Sequence, residues 1–148
     1  FKGCLYFGLM LTENGPKVIE YNCRFGDPET QVVLPLLKSD LYTVMRATTD
    51  GTLDKADVEF SEGAACCVIE ASSGYPQKYA SGFPITLPDK YKDNVYVAGA
   101  KTADGKLLTS GGRVLGVTAT ADNLPLTVLA IASMTALCGV VVSKKRAH

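Results

Sequence analysis

Residues 17–31 read Lys17-Val18-Ile19-Glu20-Tyr21-Asn22-Cys23-Arg24-Phe25-Gly26-Asp27-Pro28-Glu29-Thr30-Gln31. The first seven form a short apolar-rich run, and a two-residue period puts Val18, Glu20 and Asn22 on one face of a strand, with Ile19, Tyr21 and Cys23 on the other. Gly26 and Pro28 then turn the chain into a loop. Five polar or charged groups, Glu20, Asn22, Arg24, Asp27 and Glu29, thus gather at the end of one strand. Two readings fit them. Glu20 and Asn22 suit a hard divalent cation such as Mg²⁺, which takes one or two protein oxygens and completes its shell with phosphate, while the planar fork of Arg24 suits a carboxylate or phosphate. Alternatively, Glu20 and Asn22 lie on a solvated face and Arg24 pairs with Asp27 or Glu29.

Working outward, residues 1–11 read as a strand, and Asn14-Gly15 before the second run signals a β-hairpin, since both residues tolerate positive φ. Residues 30–37 and 40–49 carry aliphatics at helical spacing, with Leu41, Val44 and Met45 at i, i+3 and i+4 behind an N-cap at Ser39 or Asp40. Asp50-Gly51 closes this stretch, and residues 52–63 are charged and irregular. Strands follow at 64–71, 85–87, 95–100, 106–109 and 113–119, with a second hairpin turn at Ala103-Asp104-Gly105-Lys106. The expectation is an α+β chain: a hairpin with helices over 1–51, a linker over 52–63, and a small antiparallel, partly barrel-like β-lobe over 64–148.

The 148 residues suffice for one domain or two small lobes, and 47% apolar with 20% charged residues argues against disorder. Fifteen basic residues balance fifteen acidic ones and the single histidine is His148, so no nucleic-acid-binding field is built. Five cysteines without C-x-x-C spacing suit a reduced, intracellular setting, and the adjacent Cys66 and Cys67 read as packing residues. No signal peptide is visible. Gly74-Tyr75-Pro76 reads as a turn. Ser110-Gly111-Gly112-Arg113 reads either as a tight turn with a surface arginine or as backbone N–H groups and a guanidinium approaching a phosphate.

The 17–31 string, with Asn-Cys-Arg-Phe-Gly-Asp-Pro-Glu at its centre, resembles the end of the ATP-grasp domain of the phosphoribosylamine–glycine ligase family. Residues 1–10 resemble the preceding strand. Further similarities are Leu36-Leu37-Lys38-Ser39-Asp40-Leu41, Gly74-Tyr75-Pro76 with Tyr79 and Gly82, Ala98-Gly99, and Ser110-Gly111-Gly112-Arg113-Val114-Leu115. The resemblance runs to about residue 123 and looks closest to the eukaryotic form, often fused to later enzymes of purine synthesis. It implies a cytoplasmic enzyme that joins glycine to 5-phosphoribosylamine through a glycyl phosphate, with ATP as co-substrate and Mg²⁺ or Mn²⁺ as cofactor. By the same resemblance Glu20 and Asn22 are the metal ligands, and Arg24, with Asp27 and Glu29 orienting it or the amine, is catalytic. Separately, the phosphate reading of 110–113, weighed evenly against a tight turn with a surface arginine, would make Arg113, Gly111 and Gly112 the cofactor-binding residues. The family's N-terminal lobe and the subdomain that clamps ATP are not among these residues, so the chain is expected not to turn over by itself.

Two alternatives compete: another ATP-grasp enzyme, such as a biotin-dependent carboxylase, and a non-catalytic binding or membrane-tethered product. The Arg-Phe-Gly-Asp-Pro-Glu string disfavours the first. The second draws on residues 124–142, which carry no charge and precede Lys144-Lys145-Arg146. The family has a charged amphipathic helix there, so the run reads as a substituted buried helix, an altered tail or a membrane span. Pro125, Gly139 and several hydroxyls disfavour the span.

Overall fold

The computed structural model describes residues 1–137. They divide into two compact units, Phe1–Glu62 and the unit that begins at Gly63.

In the first unit, β1 (Tyr6–Thr12) and β2 (Gly15–Asn22) form an antiparallel hairpin. Its turn uses positive φ at Gly15 but not at Asn14. Thr12 pairs with Gly15, and the register runs regularly to Leu9 opposite Val18, then shifts so that Gly8 faces Glu20. Ile19 is the extra residue of this bulge, which re-aims the side chains beyond it. The helical spacing at 30–37 yields only α1 (Thr30–Val33), followed by a 3-10 turn at Leu34–Leu36. Pro35 explains the break, because it has no N–H to donate back to Gln31. Asp40 is the N-cap of α2 (Leu41–Asp50): its carboxylate accepts from the Thr43 hydroxyl at 2.7 Å and the Thr43 N–H at 2.8 Å. These bonds hold the Asp40 carboxyl below its ordinary pKa, the hydroxyl contributing most. Gly51 ends the helix in the left-handed conformation, φ +75°. Residues 52–62 return to the first unit, where Lys38 N–H donates to Glu59 O and Ser61 N–H to Leu36 O.

In the second unit, β3 (Ala64–Ala71), β7 (Arg113–Ala121) and β4 (Val95–Val97) form one antiparallel sheet in the order β3-β7-β4, and β5 (Ala100–Ala103) pairs with β6 (Lys106–Thr109) in another. The described strands of this unit thus make two antiparallel sheets. The single strand expected over 95–100 is split at Ala98-Gly99, where the chain passes from one sheet to the next. Asp104 and Gly105 both take positive φ, the requirement of a type I′ hairpin. No strand forms at 85–87: Pro84 makes an isolated bridge to Leu108 and Ile85 N–H donates to Leu107 O at 2.8 Å, while Pro84 and Pro88 have no N–H with which to extend the ladder.

The core lies along β7. Val114, Leu115 and Ile85 pack with Leu87, Ala100 and Leu107, and Val117 and Ala119 pack with Ile131 of α3 (Leu124–Leu137). Pro125 sits in the first turn of α3, where a missing N–H costs nothing, and Asn123 Oδ1 caps the Leu126 N–H. The buried Thr127 hydroxyl lies 2.9 Å from Asn123 O and 3.3 Å from Ala64 O of β3. Of the three readings of the apolar run, its described part is a helix seated on the sheet. No helix among the described residues is long and apolar enough to cross a membrane. Residues 138–148, with Cys138, the basic flank and His148, lie outside the described residues.

Candidate active site

Beyond the bulge, Gly8 faces Glu20 and Tyr6 faces Asn22, so these four residues share one face of the hairpin. Asn22 Nδ2 donates to Glu20 Oε1 at 3.1 Å. That bond leaves Asn22 Oδ1 and Glu20 Oε2 as hard oxygen donors, the type a divalent cation of the Mg²⁺ class takes. Among the described residues no three His, Cys, Asp or Glu side chains converge, so an ion held by this pair would draw its other ligands from water or a phosphate. Gly8 makes room for Glu20: a β-carbon there would stand 3.0 Å from Glu20 Cγ.

The loop after β2 is ordered by its own bonds. Arg24 Nη1 donates to Phe25 O at 2.8 Å, and Gln31 Nε2 donates to Asp27 Oδ1 at 3.1 Å. The hydroxyl and N–H of Thr30 both donate to Gly26 O. Phe25 anchors the loop by lining an apolar cavity of about 500 Å³ with Cys4, Leu41, Val44 and Met45. Glu29 stands at the N-cap of α1 but makes no side-chain capping bond. Its side chain instead folds over Gly26, where any β-carbon would collide with the carboxylate.

Tyr6 shares the hairpin face with Glu20 and Asn22. Its phenol pKa is raised, first by loss of solvation, then by the hydrogen bond to Glu29 and the negative charges of Glu29 and Glu20. Tyr6 and Gly8 do not stand out in the sequence as site residues. Counting back from the turn without a bulge would pair Glu20 with Phe7 and put Tyr6 and Gly8 on the opposite face.

Gly111, Gly112 and Arg113 belong to the second unit. The N–H groups of Ser110 and Gly111 both donate to Gly99 O, at 2.7 and 2.9 Å, and the Gly99 and Gly111 backbones are too close for a side chain on either. The Tyr75 ring covers Gly112, and the N–H and hydroxyl of Ser72 donate to Gly112 O and Gly111 O at 2.7 Å each. Close packing thus accounts for both glycines, and Arg113 opens β7 with its side chain exposed. Gly74 takes φ +97° and Tyr75 N–H donates to Ser72 O, which makes residues 72–75 a turn.

Comparison with known proteins agrees with this architecture. Residues 65–138 match the phosphoribosylglycinamide synthetase C domain and residues 1–30 match the ATP-grasp (A) domain of the same synthetase. The chain is 52% identical over 83% of its length to the phosphoribosylamine–glycine ligase of Caldanaerobacter subterraneus, and 52% identical over 84% to the trifunctional purine biosynthetic protein adenosine-3 of Gallus gallus. It spans 30% of the first protein and 13% of the second. The crystal structure of phosphoribosylamine–glycine ligase from Thermotoga maritima superposes with a TM-score of 0.77 at 35% identity, covering 89% of this chain and 33% of that one. The chain belongs to the phosphoribosylglycinamide synthetase family. Its match to the C domain reaches residue 138, beyond the point near 123 where recognisable motifs stop. The bacterial and vertebrate relatives stand at the same identity, so identity does not separate the two forms.

Proposed function

We propose that this chain supplies the last part of the ATP site and the C-terminal lobe of a ligase that joins glycine to 5-phosphoribosylamine, cleaving ATP to ADP and phosphate. The observation that carries the reading is the Glu20–Asn22 donor pair on one strand face, followed directly by the ordered 24–29 loop. In this reading Glu20 and Asn22 hold Mg²⁺ or Mn²⁺, which when bound offsets phosphate charge. The Arg24 guanidinium holds the glycine carboxylate or the transferring phosphoryl group, and its bond to Phe25 O fixes the stem while leaving four other N–H donors. Asp27 and Glu29 orient Arg24 or the incoming amine. Arg113 contributes a positive charge toward a phosphate, with Gly111 and Gly112 setting the turn that presents it.

Turnover requires the upstream portions of the enzyme that clamp ATP and bind phosphoribosylamine, because the chain spans 30% or less of the two relatives above. Fusion to later purine enzymes is one form the parent would take, as the adenosine-3 relatives illustrate. Cytoplasmic residence belongs to the same reading and is supported by the free thiols of Cys4, Cys23 and Cys66.

Thermal unfolding of the chain with Mg²⁺ and ADP tests the site. A ligand at 100 times its Kd adds about 2.7 kcal/mol. Wild type is expected to gain several degrees in Tm and Glu20→Ala none. An equal gain in both, or no gain in wild type, would refute the site.

A further inference from the structure

The turn that leads into β7 is Ser110-Gly111-Gly112, a run whose two glycines would by themselves leave the backbone free. In the folded unit it is held from two sides. On one, Gly99 O accepts the Ser110 and Gly111 N–H groups, and Gly99 N–H donates to Arg113 O at 2.8 Å. On the other, Ser72 donates its N–H to Gly112 O and its hydroxyl to Gly111 O, and the Tyr75 ring lies so close to the buried Gly112 that a β-carbon there would overlap it. The register of β7 is an independent observation. Leu115 pairs with Glu70 but Arg113 pairs with Ala71, which leaves Val114 as the extra residue of a bulge. Without the bulge Arg113 would share the face of the buried Leu115; with it Arg113 takes the opposite face and is exposed. We propose that Ser72 and Tyr75 are positioning residues that fix the 110–112 turn, so that Arg113 meets the phosphate group of a small ligand in one orientation. This rests on the reading of Arg113 as a phosphate contact.

The reason lies in what an arginine loses on binding. A guanidinium pairs best with a phosphate when two of its N–H groups meet two oxygens, and its long side chain gives up rotamer freedom to do so. A mobile backbone beneath it would add to that cost. Here the carbonyls on both sides are tied down, those of Gly111 and Gly112 to Ser72 and that of Arg113 to Gly99. The two residues of the 72–75 turn act by different means. Ser72 holds the Gly111 carbonyl with its hydroxyl at 2.7 Å, whereas Tyr75 covers Gly112 with its ring, a task for which the phenol oxygen is not needed. Gly74 at φ +97° allows the chain to fold back so that both reach the same turn.

The test uses the isotope-labelled 148-residue chain, with ribose 5-phosphate and ADP as separate probes and EDTA present so that no cation bridges the phosphate. Affinity is read from the amide shifts of Gly111, Gly112 and Arg113, and stability from Tm. Wild type is expected to bind at least one probe and Arg113→Gln neither. Ser72→Ala and Tyr75→Ala are expected to weaken binding about tenfold, the scale of one charge-assisted hydrogen bond lost to disorder. Ser72→Thr and Tyr75→Phe, which keep the hydroxyl and the ring, are expected to bind as wild type does. The tighter probe tells a sugar phosphate from a nucleotide, and the proposal stands with either. If the two alanine variants lose Tm but bind as wild type does, while Arg113→Gln does not bind, the positioning role is overturned and Arg113 stands. Should Tyr75→Ala fail to fold, Ser72→Ala decides, since it removes a single hydroxyl. If wild type binds neither probe, or Arg113→Gln binds equally well, the phosphate reading fails and the positioning role fails with it.

Discussion

Glu70 shows how one side chain sets a pH dependence. It lies on β3 opposite the buried Leu115, and partial burial raises its carboxyl pKa. A folded-state pKa above the unfolded value means that the native state binds more protons over the interval between them, so stability falls as pH rises through it. The protein thus carries a penalty at neutral pH that is absent in acid. Glu70→Gln is expected to raise the urea midpoint at pH 7, with the gap over wild type closing as pH drops into the ordinary carboxylate range; a constant gap would point to packing rather than charge. At this scale much of the first unit's candidate site was legible. Period two placed Glu20 and Asn22 together because both lie past the bulge. Tyr6 and Gly8 were not legible, because one extra residue at Ile19 decides which face of β1 they occupy, and no local signal marks it.

At the scale of elements, α2 was readable from its caps: Asp40 donates no side-chain proton but accepts two, and Gly51 supplies a left-handed φ. The neighbouring helix was overestimated because aliphatic spacing does not register the donor missing at Pro35. The split between β4 and β5 was missed for a different reason. Only the tertiary contact of Gly99 with Gly111 shows that the backbone crosses there. The strand that matters most for stability is β7, paired on both sides and packed against α3. Leu115, with 1% of its surface exposed, belongs to the buried cluster with Ile85 and Val114. Leu115→Ala is expected to cost about 2–5 kcal/mol, as truncation of a buried leucine usually does. Denaturant titration measures this, and a loss below 1 kcal/mol would mean that the cluster collapses freely.

For the whole molecule, burial is uneven. Among the described residues every buried apolar side chain lies in the second unit, while in the first Leu11, Ile19 and Tyr21 are more than half exposed. Phe7 and Tyr21 stack edge to face at 5.1 Å, yet both remain largely open. Exposed apolar side chains of this kind mark an interaction surface, and the chain covers 33% of the Thermotoga ligase. Net charge and composition could not have revealed this, since both are ordinary for an independent domain.

The most direct measurement of the central claim is therefore made in a complete enzyme. This chain replaces the homologous segment of the Caldanaerobacter ligase, and formation of glycinamide ribonucleotide from glycine, 5-phosphoribosylamine and ATP is followed. The soluble, folded chimera is expected to turn over, and Glu20→Ala within it to lower kcat by about 100-fold or more, the scale lost when one electrostatic element of an active site is removed. A folded chimera that forms no product, or one whose rate is unchanged by Glu20→Ala, would contradict the account.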